Sequence, residues 1–323
     1  MPNPDAESNE VSRSRRRSLA VAACLVGVCG AGAACATEGG GSSKALGVDT
    51  VMAGAMPPPG LRLTTFLAYY EAKKTLDGEG NGRSGLSNFD LKVEALTMRF
   101  QYVWPNVELW GANVATRFGT TLHIKAKVQF DVQTPAGLVR RQGSVQGGGD
   151  MLIAPVLLGW HSERLHQTVG PQLFLPVGSF SPTQLANAGR GYMSLGPTYA
   201  ATWFPHDKTE MSVSATILHN YRNPDTKYRS GRELSIDYGI GHFFIPPLQV
   251  GVSGYVYKQF SNDSQNGQTI AGGNRGQAFS IGPFLRYWPN NDWGISFKWQ
   301  PELGVKNRAS GNRLFLQFAT KLS

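Results

Sequence analysis

The sequence predicts an all-β protein: a transmembrane antiparallel up-and-down β-barrel of about 12 strands behind an N-terminal signal peptide. Three observations carry this expectation. The chain opens on a basic patch followed by an apolar run, its remainder alternates apolar and polar side chains with period two, and long Gly-rich loops take turns with tight Pro/Asn/Asp turns.

The signal comes first. Arg13, Arg15, Arg16 and Arg17 precede an apolar run from Ser18 to Ala36 that closes on Ala34-Cys35-Ala36, an A-x-A cleavage site. Cleavage is expected after Ala36. An uncleaved anchor is the alternative, and a lipoprotein is another, although Gly32-Ala33-Ala34-Cys35 lacks the large apolar residue that usually stands three before a lipidated cysteine. Removing residues 1–36 takes away Cys24, Cys29 and Cys35, all 3 cysteines, so thiolate chemistry and disulfides leave with the signal. The mature chain keeps 27 basic and 19 acidic residues, a net charge of +8 spread over many loops.

Residues 37–60 are expected to form a periplasmic tether or a lumen plug. Leu46 to Gly60 mixes small apolar residues with Pro57-Pro58-Pro59, and proline cannot donate to a strand ladder. As a plug, Val51, Met52 and Met56 would make a greasy constriction suited to apolar solutes.

The barrel is assigned to residues 61–323. No apolar run of helix-spanning length follows the signal, and membrane strands do not need one, because lipid-facing and lumen-facing side chains alternate. From Leu122 to Gln133 the residues Leu122, Ile124, Ala126, Val128, Phe130 and Val132 share one face, read as lipid-facing. His123, Lys125, Lys127, Gln129 and Asp131 share the other. The pattern recurs in 233–241, 293–300 and 314–322.

Strands are expected near 61–71, 91–104, 109–133, 149–161, 166–177, 192–204, 209–221, 231–244, 248–260, 277–288, 293–303 and 312–322. Long polar connections cover 72–90, 134–148, 178–191, 222–230, 261–276 and 304–311. Short turns lie near Pro105-Asn106, Ser162-Glu163, Pro205-His206-Asp207, Pro246-Pro247 and Pro289-Asn290-Asn291. This asymmetry puts long loops outside and both termini in the periplasm. Trp104, Trp110, Trp160, Trp203, Phe204, Phe243, Phe244, Tyr287, Trp288 and Trp293 collect at the short-turn end as an interfacial girdle.

Several stretches resemble one family in order and spacing. They are Gly54-Ala55-Met56-Pro57-Pro58-Pro59-Gly60, Gly149-Asp150-Met151 with Leu158-Gly159-Trp160-His161, and Phe174 to Ser179. Leu185-Ala186-Asn187 with Gly189-Arg190, Asn223 to Gly231, Gly272 to Gly276, Lys298-Trp299-Gln300 and Asn307-Arg308 complete them. From about residue 47 onward the chain resembles the outer-membrane proteins linked to the meta-cleavage pathway of phenol degradation, also called SphA-like. The resemblance implies an outer-membrane channel found beside pathways that degrade aromatic or other hydrophobic compounds. The ending Lys321-Leu322-Ser323 departs from the terminal aromatic that the assembly machinery often reads.

Candidate sites follow from chemistry and position. Arg190, Arg229, Arg232 and Arg275 would ring the outer mouth, attracting anions or lipopolysaccharide phosphates. Lys125, Lys127, Asp131, Glu233, Asp237, Arg286 and Lys298 are expected to point into the lumen, since a charge on the lipid face is costly. There they would either pair and brace the barrel or line a path.

No catalytic residue, metal site or cofactor is expected, and the chain reads as a non-enzyme. An outer-membrane lipid hydrolase would need a serine beside a histidine, and His219 with Ser214 and Tyr221 nearby carries no such motif. Gly78 to Gly82 leads into no helix, and diffuse charge on an exported chain excludes nucleic acid. The function expected is therefore an outer-membrane channel for small hydrophobic or aromatic compounds. A closed barrel with a surface-binding or structural role is the alternative. Expected partners are outer-membrane lipid, lipopolysaccharide, the assembly machinery and the solute.

Overall fold

The computed structural model describes residues 38–323; the expected signal and its cleavage site after Ala36 lie outside them. A 3-10 turn, Glu38–Gly40, and an irregular segment lead to β1 (Gly60–Thr75), β2 (Leu86–Leu109), β3 (Ala112–Thr134) and β4 (Gly137–Gly147). Next come β5 (Met151–His161), β6 (Leu165–Leu175), β7 (Ser194–His206), β8 (Thr209–Asn220), β9 (Tyr228–Arg229), β10 (Glu233–Ile245) and β11 (Leu248–Gln259). The chain ends in β12 (Ser264–Gln265), β13 (Gln268–Thr269), β14 (Gln277–Tyr287), β15 (Trp293–Lys306) and β16 (Ala309–Lys321).

Twelve of these strands close an antiparallel barrel. Neighbours pair in chain order, leaving out β4, β9, β12 and β13, and β16 pairs back onto β1. Among the described residues no helix is long and apolar enough to cross a membrane. Strands cross instead, and β14 demonstrates how: Ala278, Ser280, Gly282, Phe284 and Arg286 are buried, while Phe279, Ile281, Leu285 and Tyr287 are exposed. A wall that is apolar outside and polar inside suits hydrocarbon and not water. Trp104, Trp110, Trp203, Phe244, Tyr287 and Trp293 are exposed at the short-turn end, as a headgroup girdle requires. Trp288 departs from that reading and stacks on the Arg286 guanidinium.

Several boundaries differ from expectation, each for a local reason. β2 runs through Pro105-Asn106, and the turn falls at Trp110-Gly111, whose φ values of 53° and 72° suit a two-residue hairpin. Pro105 instead marks a break in register between Val103 and Glu108, since it offers no donor. Residues 134–148 are not a loop, because β4 folds back onto the upper half of β3 in register from Thr134↔Gly137 to Ile124↔Gly147. The interval 304–311 is likewise mostly strand, turning at Asn307-Arg308 with Asn307 in the left-handed region at φ 54°. The loops 222–230 and 261–276 contribute β9, β12 and β13, a small sheet at the long-loop end.

A β-bulge between Leu96 and Thr97 of β2 and the facing β3 residues changes the lumen assignment. Thr97 pairs with Thr121 but Leu96 pairs with His123, so β3 carries one extra residue there. That extra residue turns every later side chain of β3 to the opposite face. Beyond the bulge, Ala126 and Val128 are buried against Phe89, Leu91, Val93, Val145 and Ala186. Lys125 and Lys127 are exposed on the other side of the arm formed by β2, β3 and β4. They do not line the lumen. Asp131 lies on that same outer side, bonded to Arg140 at 3.0 Å and to Asn88 at 2.7 Å. A membrane-impermeant amine reagent on intact cells is expected to label Lys125 and Lys127 and to spare Lys44 and Lys298; peptide mapping by mass spectrometry reads the difference.

Candidate functional site

The polar inner faces of the strands meet the segment that precedes β1, and together they fill the bore. At the long-loop end the Glu38 N–H donates to Ser230 Oγ at 3.1 Å, and Asn223 Nδ2 donates to the Glu38 carboxylate at 2.8 Å. Lower down, Asp237 of β10 accepts Lys44 Nζ at 2.6 Å and the N–H groups of Gly47 and Asp49 at 2.8 and 3.1 Å. Across the bore, Arg313, Gln300 and Lys298 donate to the carbonyls of Leu46, Gly47 and Val48 at 2.8, 3.1 and 2.7 Å. Arg99 pairs with Asp49 at 2.5 Å. Toward the short-turn end Glu210 accepts the Met52 N–H at 2.6 Å, and Gly54 bonds Thr202 and Thr168 through its N–H and carbonyl at 3.0 and 2.9 Å. Irregular backbone has no ladder to satisfy it, so side chains of the wall supply the partners.

Apolar contacts sit between these polar ones. Leu46, 2% exposed, packs with Tyr255, Tyr257, Ala278 and Val305, and Met56 packs against Val103, Ala115, Ala154 and Leu157. The approach is close: a Cβ placed on Gly239 would stand 2.2 Å from the Thr50 carbonyl oxygen. The wall is also braced across itself. Glu302 accepts Tyr255 and Tyr70 hydroxyls at 2.5 and 2.7 Å and the Gly311 N–H at 3.0 Å. Glu210 holds Arg286 at 3.1 Å and Gln249 Nε2 at 2.9 Å.

The other residues singled out from sequence fall in three places. Glu233, Asp237, Arg286 and Lys298 are buried in the bore, where Glu233 accepts Asn220 Nδ2 at 2.6 Å. Val51, Met52 and Met56 lie half-buried along the segment. Of the four mouth arginines, Arg229 and Arg232 come together beside His219, Arg190 lies against Gly41, and Arg275 is exposed near Asn307. Sequence reasoning passed over Lys44, Asp49, Arg99 and Glu210. The last two carried a usable signal, being charged residues within a strand pattern.

The mouth itself is knit from the motif residues. Asp150 accepts the N–H groups of Gly178 and Arg190 at 3.0 and 2.8 Å, which draws the loop before β7 onto the start of β5. Burial pushes the Asp150 carboxyl above its ordinary range even so. Asp263 accepts the Gly231 N–H at 2.7 Å and is bonded by Tyr228, Gln259 and Asn274, and burial again raises its carboxyl.

Ser214 is buried on the inner face of β8 while His219 occupies the outer face, so the wall separates the pair a hydrolase would need. His161 and His166 face each other with Nδ1 atoms 3.2 Å apart. Among the described residues no three His, Cys, Asp or Glu side chains gather as a metal site.

A solved structure shares this architecture. An outer membrane channel from Pseudomonas putida F1 superposes with a TM-score of 0.70 at 12% identity, over 86% of this chain and 100% of that one. At that identity the likeness bears on the fold alone. The Ralstonia pickettii toluene transporter TbuX matches with a TM-score of 0.43 at 9% identity, over 88% of this chain and 96% of that one. A Pseudomonas aeruginosa FadL homologue gives 0.37 at 9%, over 81% and 89%. No curated protein matches the sequence. A closed barrel with an apolar outer wall and an aromatic girdle places the chain in the bacterial outer membrane. The family model described as MetA-pathway of phenol degradation matches residues 74–318, more than half of the sequence, and the chain belongs to that family.

Proposed function

We propose that the protein is a channel for small hydrophobic or aromatic compounds and that residues 38–59 act as its movable plug. One observation carries the reading: a segment joined covalently to the barrel only through Gly60 occupies the bore from mouth to base, held at separate points by side chains of the wall. A plug needs both a bore and contacts that can be exchanged, and the segment is held by separate hydrogen bonds and ion pairs of that kind. A barrel of about 12 strands is wider than the eight-stranded kind whose interior side chains just fill.

Leu46 and Met56 give the segment two apolar contact points, and the family's link to phenol degradation supports solutes of the same character. Charged solutes would meet the paired network of Asp237, Glu210 and Arg286 and be slowed. The bracing around Glu302 favours a second reading, a closed barrel with a structural or surface-binding role.

Solute flux into liposomes separates the two. The refolded mature protein and a form lacking residues 38–56 are compared with toluene, benzoate and a sugar. Entry of toluene ahead of the benzoate anion and the sugar, faster without the segment, is the expected result. No flux in either form would overturn the channel reading and leave the closed barrel.

A further inference from the structure

The outer wall carries a feature that solute passage does not use. At the long-loop rim, where β8 and β10 meet the loop after β11, a cleft of about 290 Å³ is lined by His219, Arg229, Ser230, Arg232, Ser261 and Asn262. Asn220, Ser230 and Gly231 form its buried floor, and strand alternation turns His219 and Arg232 to the lipid side. Ile217 is 46% exposed on the outer face of β8 and His219 follows two residues later, while Leu218 and Asn220 are buried.

Arg232 continues the outer face of β10, next to Phe260, whose N–H donates to the Arg232 carbonyl at 3.0 Å. Lys258 is exposed on the adjoining face of β11, opposite Leu234, and Arg222 is exposed just beyond β8. Arg229 and Arg232 are exposed, and among the described residues neither side chain has a carboxylate within ion-pair distance. Two unpaired guanidinium groups facing one cleft form a planar-donor clamp suited to a phosphate.

The apolar surroundings identify the source of that phosphate. Ile217, Tyr221 and Phe260 are 46%, 41% and 45% exposed beside the cleft, with the Tyr221 ring set edge-on to His219 at 5.1 Å. A soluble anion would gain nothing from this apron. A glycolipid of the outer leaflet presents both parts at once, a phosphorylated sugar above acyl chains. We propose that this cleft holds a phosphate of lipid A, the membrane anchor of lipopolysaccharide, with Arg229 and Arg232 on the phosphate and Ile217, Tyr221 and Phe260 along the acyl chains.

The test uses the refolded mature protein in mixed micelles with bisphosphorylated lipid A, native mass spectrometry counting the lipid retained. Arg229→Ala with Arg232→Ala is expected to retain about tenfold less than wild type, in line with loss of charge-assisted bonds to one phosphate. Lys208→Ala, at the opposite end of the barrel, should retain the wild-type amount.

Heat-modifiable gel migration reports whether each variant is folded. If the alanine pair does not fold, Arg229→Gln with Arg232→Gln carries the same comparison. Equal retention by the folded pair variant would overturn the proposal, as would equal retention of dephosphorylated lipid A by wild type. If the wild-type protein binds inorganic phosphate as tightly as lipid A, the apolar apron contributes nothing, the cleft belongs to a free anion and the lipid assignment fails.

Discussion

Asp237→Ala is expected to release the N-terminal segment from the bore while leaving the barrel folded. The carboxylate is fully buried and receives three donors from the segment, Lys44 Nζ and the N–H groups of Gly47 and Asp49. Without it the Lys44 ammonium, 5% exposed, is left with no counter-charge at that point. Removing one partner of a buried pair costs ~3–5 kcal/mol, several times the ~1 kcal/mol of a neutral hydrogen bond. The backbone ladder of β10 does not involve the side chain, so the cost falls on the seat of residues 44–49.

Hydrogen exchange on the refolded protein measures this directly. The Gly47 and Asp49 amides should exchange about a hundredfold faster, since each ~1.4 kcal/mol is a factor of ten. Lys44→Met removes the charge together with its need for a partner, and a milder change is expected. Unchanged protection in Asp237→Ala would mean that the other wall contacts, among them Arg99, Lys298, Gln300, Arg313 and Glu210, hold the segment without it.

Most of the barrel was legible because alternation is a property of neighbouring residues. The outer face of β14 can be read from Phe279, Ile281, Leu285 and Tyr287 without knowing what they touch. Lys298 and Asp237 could be placed inside on the same ground, since lipid leaves a charge few alternatives. Lys125 and Lys127 obeyed the local pattern as well. One extra residue near Leu122 reversed their face, and a bulge leaves no mark in a hydropathy alternation. The strand β4 was hidden for a related reason, its polar outer face reading as loop once the arm stands clear of lipid.

The segment was the least legible element. Whether 38–59 hangs below the barrel or enters it depends on Asp237, Thr202 and Glu210, about 150 to 190 positions away in sequence. Nothing in Leu46 to Pro59 specifies those partners. The mouth was intermediate: Asn223 to Gly231 and Gly272 to Gly276 stood out as motifs, but their meeting at Asp263 is a fact of topology.

Gly239→Ala is expected to displace the segment by the opposite physical route. The position lies in mid-strand on β10 with extended backbone, where alanine is acceptable, and the added Cβ would be 3.6 Å from Ser253 Cβ, an ordinary contact. The single severe clash is with the segment, 2.2 Å from the Thr50 carbonyl oxygen, a backbone atom that no rotamer change can move. Overpacking of this kind costs ~1–3 kcal/mol, to be relieved by lifting residues near Thr50 away from β10.

In a form lacking residues 38–56 the same substitution should leave heat resistance unchanged, because the clash has no partner. In the full mature chain, exchange at Gly47 and Asp49 should rise. Aromatic flux into liposomes should rise too if the segment is the plug. Asp237→Ala removes an attraction and a lumen charge together, whereas Gly239→Ala adds a repulsion and alters no charge. Faster flux in both variants therefore isolates the position of the segment as the cause. Faster flux in Asp237→Ala alone would assign the effect to lumen electrostatics and would remove the segment from the mechanism.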